Sequence, residues 1–170
     1  MIKDPIKYLE GGDLRSAAKA DELRDLIRTQ TDFDAIFHFL HREDRLLVMR
    51  AADALEKISR DHPKYLESHE DEILEFLQTA EHKEFKWHLA QMVGRLKLVP
   101  AKRTMAYKVL TSWATNSAES SIVRVNALQA IHDMNLEYLD MEKELQQLII
   151  TLKRENIPSL NSRIRKLTSS

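Results

Sequence analysis

The chain has 170 residues, with 26 Lys and Arg against 27 Asp and Glu, a net charge of -1 and no cysteine. That length holds one domain with a continuous core. The balanced charge offers no electrostatic case for nucleic acid or an anionic membrane, and the lack of thiols excludes disulfides, thiolate nucleophiles and thiolate metal ligands. Three glycines and four prolines leave little material for hairpins, and no stretch sustains apolar/polar alternation. The class is therefore all-α. The first residues, MIKDPIKYLEGGD, form no apolar run of signal-peptide length, and no window approaches the roughly 18 apolar residues of a membrane span. A soluble protein with no membrane contact and a cytoplasmic location is expected.

Taken in chain order, Asp4 before Pro5 reads as an N-cap with proline at the first helical position, residues 3–9 as a capping turn, and Gly11-Gly12 as its end. From Asp13 to about Arg28 the chain favours helix, with Ala17, Ala18, Leu23, Leu26 and Ile27 as a modest apolar stripe and Asp21 offering a second start. Residues 1–30 thus read as an N-terminal cap. A first A helix is expected from Thr31 to His41, where Phe33, Ile36, Phe37 and Leu40 follow the i, i+3, i+4, i+7 spacing of an amphipathic helix. The first B helix follows the turn at Arg42 to Asp44, contains LVMRAADALEKI from Leu47 to Ile58, and ends near Arg60 because Asp61-His62-Pro63 cannot continue it.

The second A helix is expected from Tyr65 to Thr79, with Leu66, Ile73, Leu74 and Leu77 inward and the acidic run Glu67, Glu70, Asp71, Glu72 and Glu75 on a solvated outer face. The second B helix runs from Lys83 to Leu98. Ala101 to Thr115 forms the third A helix, and Asn116-Ser117 with Ser120-Ser121 supplies the loop and cap for the third B helix, Ile122 to Met134. A fourth A helix spans Leu139 to Arg154 on a stripe of Met141, Leu145, Leu148, Ile149 and Leu152. Asn156-Ile157-Pro158 turns the chain into a short last B helix, Ser159 to Leu167. The helix pairs therefore occupy 31–60, 63–98, 101–136 and 138–168 of a single domain covering 1–170.

One pattern recurs. Ala51, Leu55 and Ile58 map onto Leu89, Val93 and Leu96 at a shift of 38, and onto Ala127, Ile131 and Met134 at a second shift of 38. Upstream, Leu47 and Met49 become Phe85 and Trp87, then Val123 and Val125. A period between roughly 20 and 50 residues marks a stacked repeat protein. One helix pair cannot bury its apolar stripe alone, so pairs stack and the end units need polar outer faces. Residues 1–28 and 155–170 suit that role. The cations Lys153, Arg154, Arg163, Arg165 and Lys166 lie near helix C-termini, where the macrodipole favours them, or form a basic patch for an acidic partner.

The B helices carry a resemblance. Val123-Arg124 with Ala127, Ala130, Ile131 and Met134 follows the pattern V-R-x-x-A-x-x-A-L-x-x-I, and the blocks RAADALEK (50–57), WHLAQ (87–91), SSIVRVNALQAI (120–131) and PSLNSRIRKL (158–167) extend it. The chain resembles the HEAT-repeat family, and is similar to small bacterial members of it. The second copy departs from the pattern, with Leu89 and Met92 where the family has small alanines, and the period lies under the roughly 40–47 residues usual there. The resemblance implies an α-α superhelix, a HEAT-like solenoid of about four helix pairs with capping helices at both ends. It also implies a non-enzymatic scaffold that binds another protein.

On a helical wheel, positions 47, 51, 54, 55 and 58 cluster on the inward side. The opposite side lines the concave surface in HEAT solenoids. Across three repeats it gives Met49, Asp53 and Glu56; Trp87, Gln91 and Gly94; Val125, Gln129 and His132. Met49, Trp87 and Val125 would make an apolar ridge, and tryptophan is a favoured anchor in binding sites. Alternatively Trp87 folds sideways against the neighbouring B helix and completes repeat packing. Arg50, His88 and Asn126 lie on the flank, either as a hydrogen-bonded ladder between repeats, as family arginines near this position commonly are, or as a rim.

Chemistry-bearing motifs are scarce. There is no glycine-rich phosphate loop, nucleophile elbow or H-E-x-x-H pattern, so no catalytic residue, cofactor or metal is assigned. His38 and His41 share a helix face but have no carboxylate at matched spacing beside them. The rival to a scaffold is a nucleic-acid-binding protein related to HEAT-like alkylpurine DNA glycosylases, prompted by Trp87, Trp113 and Asp53. Against it, the predicted row holds no Lys or Arg to neutralise phosphates, and Trp113 falls at a core position. A lyase-like helper for tetrapyrrole attachment, which would need His88 or Glu56 in an apolar groove, is a third reading.

Overall fold

Three helices begin 38 residues apart: α4 (Arg45–Asp61), α6 (Lys83–Val93) and α8 (Ser121–Tyr138). The sequence period is the period of the B helices. The computed structural model describes residues 4–10, 20–138 and 141–169. Among the described residues the fold is all-α, completed by α1 (Ile6–Leu9), α2 (Ala20–Leu26), α3 (Gln30–Phe37), α5 (Glu70–Thr79), α7 (Pro100–Thr115), α9 (Glu142–Arg154) and α10 (Pro158–Leu167). No described helix is long and apolar enough to cross a membrane. The residues group into two compact units, Met1–Glu70 and Asp71–Ser170.

In the first unit α4 is central, packed by α1, α2, α3 and the 3-10 turns His38–His41 and Pro63–His69. Its start is set by Asp44, whose carboxylate accepts from the amides of Leu46 at 2.9 Å and Leu47 at 3.1 Å. The first two A segments thus carry a 3-10 turn where continuous α-helix was expected. The core is Leu9, Leu23, Ile27, Phe33, Ile36, Phe37, Leu40, Ala51, Leu55 and Ile58. Each large member stabilises the fold by about 1.5–3 kcal/mol on burial. Leu26, expected in the N-terminal stripe, is 43% exposed, because Leu23 and Ile27 one turn apart already supply the buried face. Ala17, Ala18 and Gly11-Gly12 lie outside the described residues. Asp4 does not cap α1 with its side chain; its carboxylate pairs with Lys7 at 3.0 Å.

The second unit is built around α8, which packs on α6, α7, α9 and α10. Its start is marked by Ser120, whose hydroxyl accepts from the amide of Val123 at 3.5 Å. Against expectation α8 runs on to Tyr138, and α6 stops at Val93 rather than Leu98. Past Gly94 the chain closes two tight turns, Arg95 N–H to Met92 and Leu96 N–H to Val93, both at 3.1 Å, which still bury Leu96 and Leu98. A Cβ built on Gly94 would lie 3.1 Å from Cα of Ala130, so α6 and α8 meet there backbone to backbone. Phe76 of α5 meets Phe85 of α6 edge-on with centroids 5.4 Å apart, and Lys102 of α7 pairs with Asp71 at 2.5 Å. The turn into α10 uses Asn156 at φ 52°, a left-handed conformation that asparagine tolerates better than most residues.

Candidate functional site

The B-helix row separates into two unlike stretches. On α4, Met49 and Glu56 are buried at 7% and 1% exposure, which corrects the expectation that they line an open surface. The physical reason is the number of neighbours: α1, α2, α3 and both 3-10 turns pack on α4, so more than its stacking stripe is covered. Both carboxylate oxygens of Glu56 accept from Arg60, at 2.9 and 2.6 Å, and hold that guanidinium firmly protonated. Asp53 is half-buried and pairs with Lys57 at 3.0 Å. The acidic members of the row are thus engaged by cations one turn away on their own helix.

In the second unit Trp87 and Gln91 on α6, and Val125, Gln129 and His132 on α8, are all partly exposed. The indole N–H of Trp87 donates to Nε2 of His88 at 2.8 Å, with the two rings 5.2 Å apart. His88 is itself buried. The tryptophan is therefore held by a buried neighbour while part of its ring stays accessible. The side chain of Gln91 donates to the Trp87 carbonyl at 3.4 Å. Gln129 donates to Asp133 at 2.7 Å and accepts from Arg163 of α10 at 2.5 Å, which brings a cation into the row that the wheel did not place there. His132 lies 3.6 Å from Asp133. Beside it, Asn135 donates to Glu142; hydrogen bonds from Gln146 and Asn135 hold the Glu142 carboxyl below the usual carboxylate range.

The flank residues are held in different ways. Arg50 is buried and donates to the Leu9 carbonyl at 2.7 Å, but Asn126 donates back to Ile122 of its own helix at 2.8 Å. Links between successive pairs run two positions earlier, at Lys86 and Arg124. Lys86 bonds Glu119 and sits 5.3 Å over the Trp113 ring; Arg124 donates to the Ala114 carbonyl at 2.8 Å and to both oxygens of Glu155 at 2.7 Å. Lys86 and Arg124 are 38 residues apart, so the period itself carried this signal. Trp113 is buried on α7.

His38 and His41 are exposed with ring centroids 6.2 Å apart. Among the described residues no group of three or more His, Cys, Asp or Glu is arranged to hold a metal ion. Comparison with curated proteins and with solved structures gave no match. A model of the HEAT repeat domain matches residues 13–170, nearly the whole chain and all of its repeated helices, and the chain belongs to that family.

Proposed function

We infer that the protein is a non-enzymatic scaffold that binds another protein along the B-helix face of α6 and α8, with Trp87 as the anchor. HEAT repeat domains are an interaction-scaffold type. The observation that supports this face is the state of Trp87: partly exposed, yet fixed by its bond to the buried His88, so little side-chain freedom is lost on binding. Gln91 bonds the Trp87 carbonyl, and the row continues on α8 with Val125 and with Gln129, which holds Arg163, as an apolar contact and polar groups suited to a rim. The neighbouring Lys86 and Arg124 are already paired with Glu119 and Glu155. That leaves few cations for a phosphate backbone and favours a protein partner.

The test is affinity capture from native lysate with the wild-type chain, the Trp87→Ala/Gln91→Ala variant and a Lys108→Ala control on the exposed side of α7. The expected result is loss of one partner with the double variant alone, with helical content and melting unchanged. Capture that persists in the double variant, or unfolding of that variant, overturns the assignment of this face.

A further inference from the structure

The end of α9 and the whole of α10 carry charge of one sign. Residues 153–169 hold Lys153, Arg154, Arg163, Arg165 and Lys166 against Glu155 alone, in a chain whose net charge is -1. Glu155 is committed to Arg124, which donates to both of its oxygens at 2.7 Å. This stretch therefore keeps a positive excess that its own carboxylate does not offset.

The macrodipole accounts for part of this placement, since Lys153 and Arg154 lie in the last turn of α9, and Arg165 and Lys166 in that of α10. Arg163 lies outside that turn. It reaches across to α8 and donates to Gln129 at 2.5 Å. The cations Lys86 of α6 and Arg124 of α8 are each set against a carboxylate, Glu119 and Glu155, whereas Arg163 of α10 is set against a neutral amide and keeps its charge. The carboxylate on the open stripe of α8 is Asp133, which already accepts from Gln129 at 2.7 Å and lies 3.6 Å from His132. The B-helix face that begins at Trp87 on α6 thus ends, beyond α8, on a cation. Lys166, exposed and three residues after Arg163, follows it on the same side of α10.

We propose that the partner of this face is an acidic protein segment lying extended across α6, α8 and α10, with an aromatic or aliphatic residue against Trp87 and carboxylates on Arg163 and Lys166. The proposal rests on the assignment of the B-helix face above and adds the chemistry of what binds there. Its basis is charge complementarity: an apolar anchor at one end of the row and uncompensated cations at the other select a segment of the opposite layout. A guanidinium also suits a carboxylate through paired hydrogen bonds. Because α8 packs on both α6 and α10, and packed helices lie about 8–10 Å apart, the row from Trp87 to Arg163 is about 16–20 Å long. An extended chain covers that in about five or six residues. Two cations at one end of the row suit a few carboxylates, whereas a nucleic-acid backbone needs cations along its whole track.

The experiment is a fluorescence-anisotropy titration of the full chain with a short, labelled copolymer of glutamate and a minority of tyrosine, its site mapped by 15N NMR. Polyglutamate, a lysine–tyrosine copolymer, heparin, oligothymidylate and phosphatidylserine vesicles are the comparators. The expected result is saturable, salt-sensitive binding of the glutamate–tyrosine copolymer, tighter than that of any comparator, with shifts at residues 87, 125, 129, 163 and 166. Arg163→Glu/Lys166→Glu is expected to weaken it by about 10-fold or more, and the same reversal at Lys108 on α7 by less than about 2-fold. Arg163→Gln/Lys166→Gln gives a smaller loss in the same direction should the reversed variant fold poorly. No binding of the copolymer, an equal loss with Lys108→Glu, or tighter binding of heparin, oligothymidylate or vesicles overturns the proposal. So does a concentration-dependent dimer of the chain that buries the same residues, since the occupant is then a second copy. The two readings fail separately. Copolymer binding that is indifferent to Arg163 and Lys166, with lysate capture still dependent on Trp87, removes the acidic segment and leaves the face. Binding that needs both cations and is unchanged in Trp87→Ala removes Trp87 as the anchor, and the proposal with it.

Discussion

At the scale of single residues, position on a helical wheel decides less than what covers it. Met49 and Glu56 lie opposite the stacking stripe, yet both are buried on a helix packed by five neighbouring elements. Trp87 holds the same register as Met49 one period on and remains partly open. A local cap shows how one side chain carries pH dependence. The Thr29 hydroxyl donates to Asp32 at 2.7 Å while accepting from the Asp32 amide, and the Arg28 amide adds a weaker bond. The hydroxyl first, and the amide after it, hold the Asp32 carboxyl below its ordinary value. A carboxyl depressed in the folded state stabilises fully above its unfolded pKa, near 3.9, and loses that contribution as pH falls through the lower folded value. Asp32→Asn is therefore expected to cost about 0.5–1 kcal/mol at neutral pH and to flatten the loss of stability below about pH 4. Urea denaturation at pH 7 and pH 3 measures both; parallel losses for the two proteins would contradict the assignment.

At the scale of elements, the helices that define the repeat are set by caps and breakers legible in the chain, while their lengths are set by packing. Asp44, Pro100, Ser120 and Pro158 mark starts that the residues themselves announce. The early end of α6 does not follow from periodicity, since Leu96 keeps the apolar register; the chain leaves the helix after Gly94, which lies against Ala130. A side chain there must push the two B helices apart. Gly94→Val is expected to destabilise by about 1–3 kcal/mol, as overpacking between close backbones does. A lowered urea midpoint with an unchanged denaturant slope is the expected signature. A midpoint equal to wild type would mean that α6 and α8 separate without cost.

At the scale of the molecule, the repeats of the second unit are joined by a bond that recurs with the period. Lys86 reaches Glu119, and one repeat later Arg124 reaches Glu155. Arg124 is 2% exposed, so its partner matters more than a surface ion pair would. Glu155→Gln is expected to cost about 1–2 kcal/mol, the range for hydrogen bonds to a charged group after allowing for the exposure of the carboxylate. Chemical denaturation beside the Glu155→Ala/Arg124→Met double variant checks it: partial recovery in the double variant is expected, because no charge is left buried. The sequence alone determined the all-α class, the 38-residue period and the family, since each rests on local spacing repeated many times. Only the tertiary structure decided which part of the B-helix row stays open and which cations are engaged. Those properties depend on which neighbour covers a face, and periodicity within one helix does not encode its neighbours.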